Sequence, residues 1–218
     1  MQVHITPDLK RVYPESSFGS LIVRNIPNRK IHEALEEIKR DLERSIREEY
    51  EEVDNDSMIQ NYNSYFKKWN KIYPIEYQIK TIRSGGKFPQ VSVLVDSMFV
   101  AELFNRILTS GHDLEEIHGD LTFDISREGE RYLKLNGQEQ KLKKNDVVLR
   151  DNEGLLACIL YGPARRTSIT LKTKDALYFA WCPYMTDEEL IMSHLKKIYE
   201  NLSSVFESVF SESQLIRS

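Results

Sequence analysis

VSVLVDSMFVAELFNRIL, residues Val91–Leu108, is the stretch on which the fold turns. It is almost continuously apolar with few charges, over a length that suits a buried helix better than a strand. Just before it, Gly85-Gly86-Lys87-Phe88-Pro89 forces a break. Upstream of that break the text is helical. From Lys30 the apolar residues Ile31, Leu35, Ile38, Leu42 and Ile46 recur at steps of three and four among charges, which predicts a long amphipathic helix on the surface. Its charge run, Arg44 to Glu52, reads as a solvated face with intrahelical pairs. A second helix is predicted over Ser57 to Ile72, with Ser57 as cap and Tyr62, Tyr65, Phe66 and Trp69 on its apolar side. A third is predicted over Ile75 to Ser84. At the start of the chain, Val3 to Ile5 and Gly19 to Arg24 suggest two short strands around a turn punctuated by Pro7 and Pro14.

Downstream the text becomes strand-like, at Leu121 to Ile125, Tyr132 to Leu135, Val147 to Arg150, Leu155 to Tyr161 and Ala176 to Trp181, with an Asn136-Gly137 hairpin turn. A last helix opens at Thr186 or Asp187 and carries Ile191, Leu195, Ile198, Leu202 and Val205 as a stripe. This order predicts an α+β fold: an N-terminal helical part packed on a mostly antiparallel sheet, with a long C-terminal helix, in one domain over 1–218.

At 218 residues with 40% hydrophobic and 29% charged residues, the chain has an ordinary globular balance, which argues against general disorder. A formal charge of -4 excludes a broadly basic nucleic-acid binder, so any RNA contact must come from a local patch. Asp8, Lys10 and Arg11 interrupt any early apolar run, so a cytoplasmic setting with free Cys158 and Cys182 is expected. No stretch approaches membrane-spanning length. Nothing resembles a P-loop, a dinucleotide fingerprint, a nucleophile elbow or a zinc motif, and no cofactor is expected.

Polar residues interrupt apolar ones most pointedly around residues 94–121. A carboxylate inside an apolar helix is costly unless it is paired, so Asp96 and Glu102 either accept hydrogen bonds or face a cleft. His112, beside Gly111 and Asp113 at an expected helix end, is a candidate acid or base, or else a loop histidine bonded to backbone. His112 and His118 lack a third metal ligand at useful spacing, so no metal is expected. Tyr161-Gly162-Pro163-Ala164-Arg165-Arg166-Thr167 puts two arginines and a hydroxyl at a turn, suited to phosphate or carboxylate, or merely solvated.

The same strings carry a family resemblance. Pro89 to Asp96, Gly111-His112-Asp113-Leu114 through Gly119-Asp120, Gly129-Glu130, Asn136-Gly137, Asp151 to Gly154, and Tyr161-Gly162 through Thr167 to Thr173 together resemble the B3/B4 domain of the phenylalanyl-tRNA synthetase beta subunit. The similarity runs from about Tyr77 to Trp181. It looks like a free-standing version of that module, with strands and a helical extension over 1–74, a B3/B4-like core over 75–185 and the C-terminal helix over 186–218.

In the synthetase this module hydrolyses tyrosine wrongly attached to tRNA. The resemblance implies a pocket for the aminoacyl-adenosine end, formed by the helix after Asp96, a turn from Ser110 to Asp113, and the strand end at Leu160 to Gly162. Met98 and Phe99 stand where the bacterial synthetase has Thr-Asn, Ser110 where it has a pocket histidine, and Phe179 where it has the tyrosine-reading glutamate. Tyrosine specificity is therefore not implied. If ester hydrolysis persists, His112 and Ser110 orient the water, and Asp96, Met98, Phe99, Gly111, Tyr161, Gly162 and Phe179 shape the acyl pocket. Arg165, Arg166 and Thr167 then hold the terminal phosphates. The expected partner is tRNA or aminoacyl-tRNA. Alternatives are a non-catalytic interaction module and a binder or enzyme for a free amino acid or small metabolite. The charged helix and C-terminal stripe also permit a homodimer.

Overall fold

The computed structural model describes residues 1–48 and 56–217. Strand β1 (Val3–Ile5) leads into a short helix α1 (Pro7–Val12), where only a turn was expected. Thr6 caps it, accepting the Leu9 N–H at 3.2 Å, and Pro7 occupies the position where a missing N–H costs nothing. Strand β2 (Ser17–Arg24) follows, then α2 (Glu33–Glu48).

Helix α2 is less of a surface helix than its periodicity suggested. Leu35 and Ile46 are buried, but so are Lys39 and Glu43, whose charges serve Asp96 and the Phe88 N–H outside the helix as well as neighbours within it. The intrahelical pairs expected of the charge run include Arg44–Asp41 at 3.3 Å and Arg47–Glu43 at 3.3 Å. The rest of that run lies outside the described residues.

Helix α3 (Ser57–Lys67) is capped by Asp56 and not by Ser57: the carboxylate accepts the N–H groups of Met58 and Ile59 at 2.9 and 3.1 Å. Helix α4 (Pro74–Arg83) and the apolar α5 (Val93–Asn105) complete the helical half, the last closed by Arg106 in a left-handed conformation. The tyrosines of α3 do more than fill space. The Tyr62 hydroxyl donates to the Trp181 carbonyl and accepts the Leu108 N–H. The Tyr65 hydroxyl donates to Asp146 at 2.7 Å and accepts the Val147 N–H at 2.7 Å. Burial pushes the Asp146 carboxyl up to about 7.

The strands after α5 are β3 (Thr109–Asp113), β4 (Leu121–Ile125), β5 (Arg131–Leu133), β6 (Glu139–Lys141), β7 (Val147–Arg150), β8 (Leu155–Cys158), β9 (Gly162–Pro163) and β10 (Ala176–Cys182). Helix α6 (Glu188–Ser203), capped by Asp187, and β11 (Phe210–Arg217) end the described chain. One sheet has the order β1-β4-β7-β8-β9, antiparallel except for β1 on β4. The second, fully antiparallel, has the order β11-β2-β10-β3. Strands β5 and β6 form the hairpin that Asn136-Gly137 announced.

The register of the second sheet decides where every candidate residue points. Ser110 pairs with Phe179 and His112 with Leu177, while Trp181 pairs with Phe18. Because side chains alternate along a strand, Ser110, His112, Phe179, Trp181 and Phe18 share one face. That face meets the first sheet through rings: Phe18 stacks on Phe123 at 3.9 Å, and Phe123 meets Phe179 and Trp181 edge-on at 5.3 and 5.4 Å. The other face carries α5 and α6. Tyr178 donates to the Leu94 carbonyl of α5, and Thr109 is hydrogen bonded to His194 of α6 at 2.6 Å. Gly19 lies under α6, where a Cβ would meet Ile191 at 2.7 Å, so the missing side chain is what lets the helix settle on the sheet. The stripe Ile191, Leu195, Ile198 and Leu202 is buried inside this same chain. Among the described residues no helix is long and apolar enough to cross a membrane.

Candidate functional site

Two places gather the polar residues that the sequence singled out. The first is closed. His112 is 0% exposed and Ser110 3% exposed. The His112 Nε2 lies 2.9 Å from the Ser110 Oγ, and its Nδ1 lies 2.9 Å from the hydroxyl of Thr167, itself buried. Trp181 donates its indole N–H to the same Ser110 oxygen at 3.0 Å. The Ser110–His112 distance would suit a nucleophile and its base. Burial, however, pushes the imidazole down to about 3, with the nearby Arg166 charge acting in the same direction. The ring is thus neutral near pH 7, and a neutral ring offers one donor and one acceptor, which its two hydroxyl neighbours match. The sequence reading had both residues orienting a water. Here their polar atoms are used up by one another beneath Phe179, which is also fully buried.

The expected turn over Ser110 to Asp113 is strand β3, which places Gly111 against β10. A Cβ on Gly111 would meet Ile169 at 2.8 Å and Tyr178 at 3.2 Å, so glycine is needed for close approach. Asp96, Met98 and Phe99 sit on α5, on the other face of the sheet from Ser110, His112 and Phe179. The grouping of these six around one hollow therefore does not form, because the sheet runs between them. Asp96 is instead a buried partner of α2: it accepts from Lys39 at 3.0 Å and from the Val91 N–H at 3.0 Å, and Lys39 also reaches Glu36 at 2.7 Å. Glu102, deeper in the same helix, accepts the Thr109 N–H at 2.6 Å, and burial pushes its carboxyl up to about 8.

The second place is open. A cleft of about 640 Å³ lies between the β5 hairpin and the β8–β9 turn, lined by Tyr132, Leu133, Arg150, Leu155, Arg165 and Arg166 among others. Gly162, with a positive φ of 80° that suits glycine, bends the chain here, and its carbonyl accepts the Tyr132 hydroxyl at 3.0 Å. The arginines differ in how far they are committed. Arg150 is held by Glu130 and Asp124. Arg166 is held by the buried carboxylate of Asp151 at 2.5 Å and by carbonyls of Glu116 and Gly154. Arg165, by contrast, is exposed, and among the described residues no carboxylate pairs with it. Tyr161 is half-buried beside the cleft, its ring covered by the Lys71 ammonium at 4.7 Å. The sequence reading named Arg165 and Arg166. It missed Tyr132, Leu133 and Arg150, which lie on other strands and reach the cleft only through the fold.

The fold is an α+β module with one closed and one open polar place. A family model described as the B3/4 domain matches residues 62–197, and the chain belongs to that family. Among solved structures, an N-terminal fragment of the phenylalanyl-tRNA synthetase beta-subunit from Pyrococcus horikoshii is similar, with a TM-score of 0.50 at 14% identity. The match covers 96% of this chain and 53% of that one, so the chain spans about half the length of the fragment. No curated protein matches.

Proposed function

We propose that this B3/4 protein binds the terminal region of a tRNA in the cytoplasm as a non-catalytic module, with Arg165 at the mouth of the cleft taking a phosphate. The observation that carries the reading is the contrast in availability: Arg165 is exposed and in no ion pair among the described residues, whereas Ser110 and His112 are buried and mutually bonded. A guanidinium presents a planar fork that suits phosphate oxygens. Tyr132, Leu133 and Leu155 beside it supply apolar surface for a nucleoside. Hydrolysis assisted by a side-chain base would use a group that can take a proton near neutral pH from a water within reach. His112, pushed down to about 3 and fully buried, is poorly suited to that task.

The test has two arms. Fluorescence anisotropy with labelled tRNA should show affinity that falls with salt and drops about tenfold in Arg165→Glu; an unchanged affinity would remove Arg165 from the interface. Incubation with a panel of aminoacyl-tRNAs should release amino acid no faster than buffer alone. Turnover with any acyl group would restore the deacylase reading.

A further inference from the structure

The groove between α3 and α4 is a second open feature, of about 840 Å³, lined by Asn63, Lys67, Lys71, Ile72 and Tyr77 among others. Its composition is unusual for this acidic chain. Tyr77 is 64% exposed and Ile72 70% exposed, and both line the groove beside lysines. Among the described residues one carboxylate lines the groove, Glu76, and it is taken by Lys80 and Asn63. Among the described residues that line it, Lys67 and Lys71 therefore leave a local positive excess on a protein of net charge -4. An aromatic face between ammonium groups suits a nucleobase flanked by phosphates, whereas an acidic peptide would have no use for the ring.

A chain of contacts joins the groove to the arginine cleft. Lys71 lines the groove and lies over the Tyr161 ring. Tyr161 precedes Gly162, whose carbonyl holds Tyr132, and Tyr132 lines the cleft. Lys68, just past the end of α3, lies over the rings of Tyr13, Tyr65 and Tyr184 at 4.9, 5.7 and 5.2 Å.

We infer that the groove and the cleft form one track for a single-stranded RNA segment, entering at Arg165, crossing Tyr161 and Lys71, and stacking a base on Tyr77. This rests on the tRNA-end reading and gives it an extent: the helical part of the chain supplies the second half of the site. The strand bound is longer than the cleft alone can hold, and its recognition is sequence-tolerant, because every base has a ring face to stack.

Two labelled oligoribonucleotides, of about 4 and about 12 nucleotides, separate the two halves. In the full chain, Lys67→Glu with Lys71→Gln should weaken the long probe about tenfold and leave the short one unchanged. Tyr77→Ala should weaken the long probe by a similar factor. Arg165→Glu should weaken both. Thermal melting verifies that each variant is folded, and Lys67→Glu alone serves if Lys71→Gln proves unstable. If the lysine and tyrosine variants bind the long probe as the unaltered chain does while Arg165→Glu fails, the track is overturned and the cleft stands. If Arg165→Glu changes nothing, both readings fall. A glutamate-rich peptide that displaces the long probe at equal concentration would also overturn the track.

Discussion

Thr167 and Arg165 are two residues apart, yet one closes a polar cluster that water cannot reach and the other stands in solvent. Around Thr167, the hydroxyls of Ser110 and Thr167, the imidazole of His112 and the indole of Trp181 satisfy one another within 3.0 Å. Around Arg165, an open cleft leaves a charge without a counter-charge among the described residues. A buried polar group must be satisfied or it costs on the order of 1–3 kcal/mol, so burial and availability exclude each other. The difference teaches that residue type alone does not mark a site. Ser110 and His112 have the chemistry of a catalytic pair and the surroundings of a core. Arg165 has ordinary chemistry and the surroundings of a binding residue.

The strongest test of the closed side is Lys39→Met. It removes the lysine on Asp96 and leaves a buried carboxylate with only backbone N–H partners among the described residues, Val91 and Ser92, so about 3–5 kcal/mol of stability should be lost in urea unfolding. A loss under about 1 kcal/mol would mean that water reaches Asp96 and that this face is open after all. His112→Ala comes next: it opens a cavity beneath Phe179 and orphans the Thr167 hydroxyl, and should cost about 2–3 kcal/mol while leaving tRNA affinity unchanged. If the variant were as stable as its parent but bound RNA more weakly, the two places would have to be exchanged.

Glu102→Gln probes the core by pH. The folded-state value of Glu102, about 8, lies above its ordinary 4.5, so its contribution is complete below 4.5 and is lost as pH rises through 8. Asp146, pushed from 3.8 to about 7, acts in the same direction. His112 and His194, both lowered from 6.5 to about 3, act oppositely: their contribution is present above 6.5 and lost as pH falls through about 3. Between pH 6.5 and 8 the carboxyls act alone. There the stability of the unaltered chain relative to Glu102→Gln should decline by up to about 1.4 kcal/mol per pH unit. A constant difference across that window would show the carboxyl ionised and hydrated. The smallest effect belongs to the open side: Arg165→Ala should change stability by no more than about 0.5 kcal/mol. A larger loss would mean that the arginine supports the fold, and its role in binding would lose its footing.

Much of the fold was written in local pattern. The stripe of α6, the apolar run of α5, the strands β4, β7, β8 and β10 and the Asn136-Gly137 hairpin fall where periodicity and turn residues put them. Strands β3 and β11 escaped. Thr109–Asp113 is glycine-containing and polar, and reads as a turn until β10 pairs with it. Phe210–Arg217 is a mostly exposed edge strand with a single buried residue, Ile216, so no alternation survives to betray it. Likewise, nothing local marks Lys39 as the partner of Asp96, 57 residues away, or makes the Tyr62 and Tyr65 hydroxyls into clamps on the sheet.

The sequence by itself determined most of the elements, the mixture of helix and sheet, the family and the chemical types that gather around residues 96–112 and 161–167. Only the tertiary structure decided which of those types meet water. Periodicity is a property of neighbours along the chain and can be read there. Desolvation depends on every atom packed around a group, and the sheet that separates Asp96 from His112 exists only once β2, β3, β10 and β11 have come together.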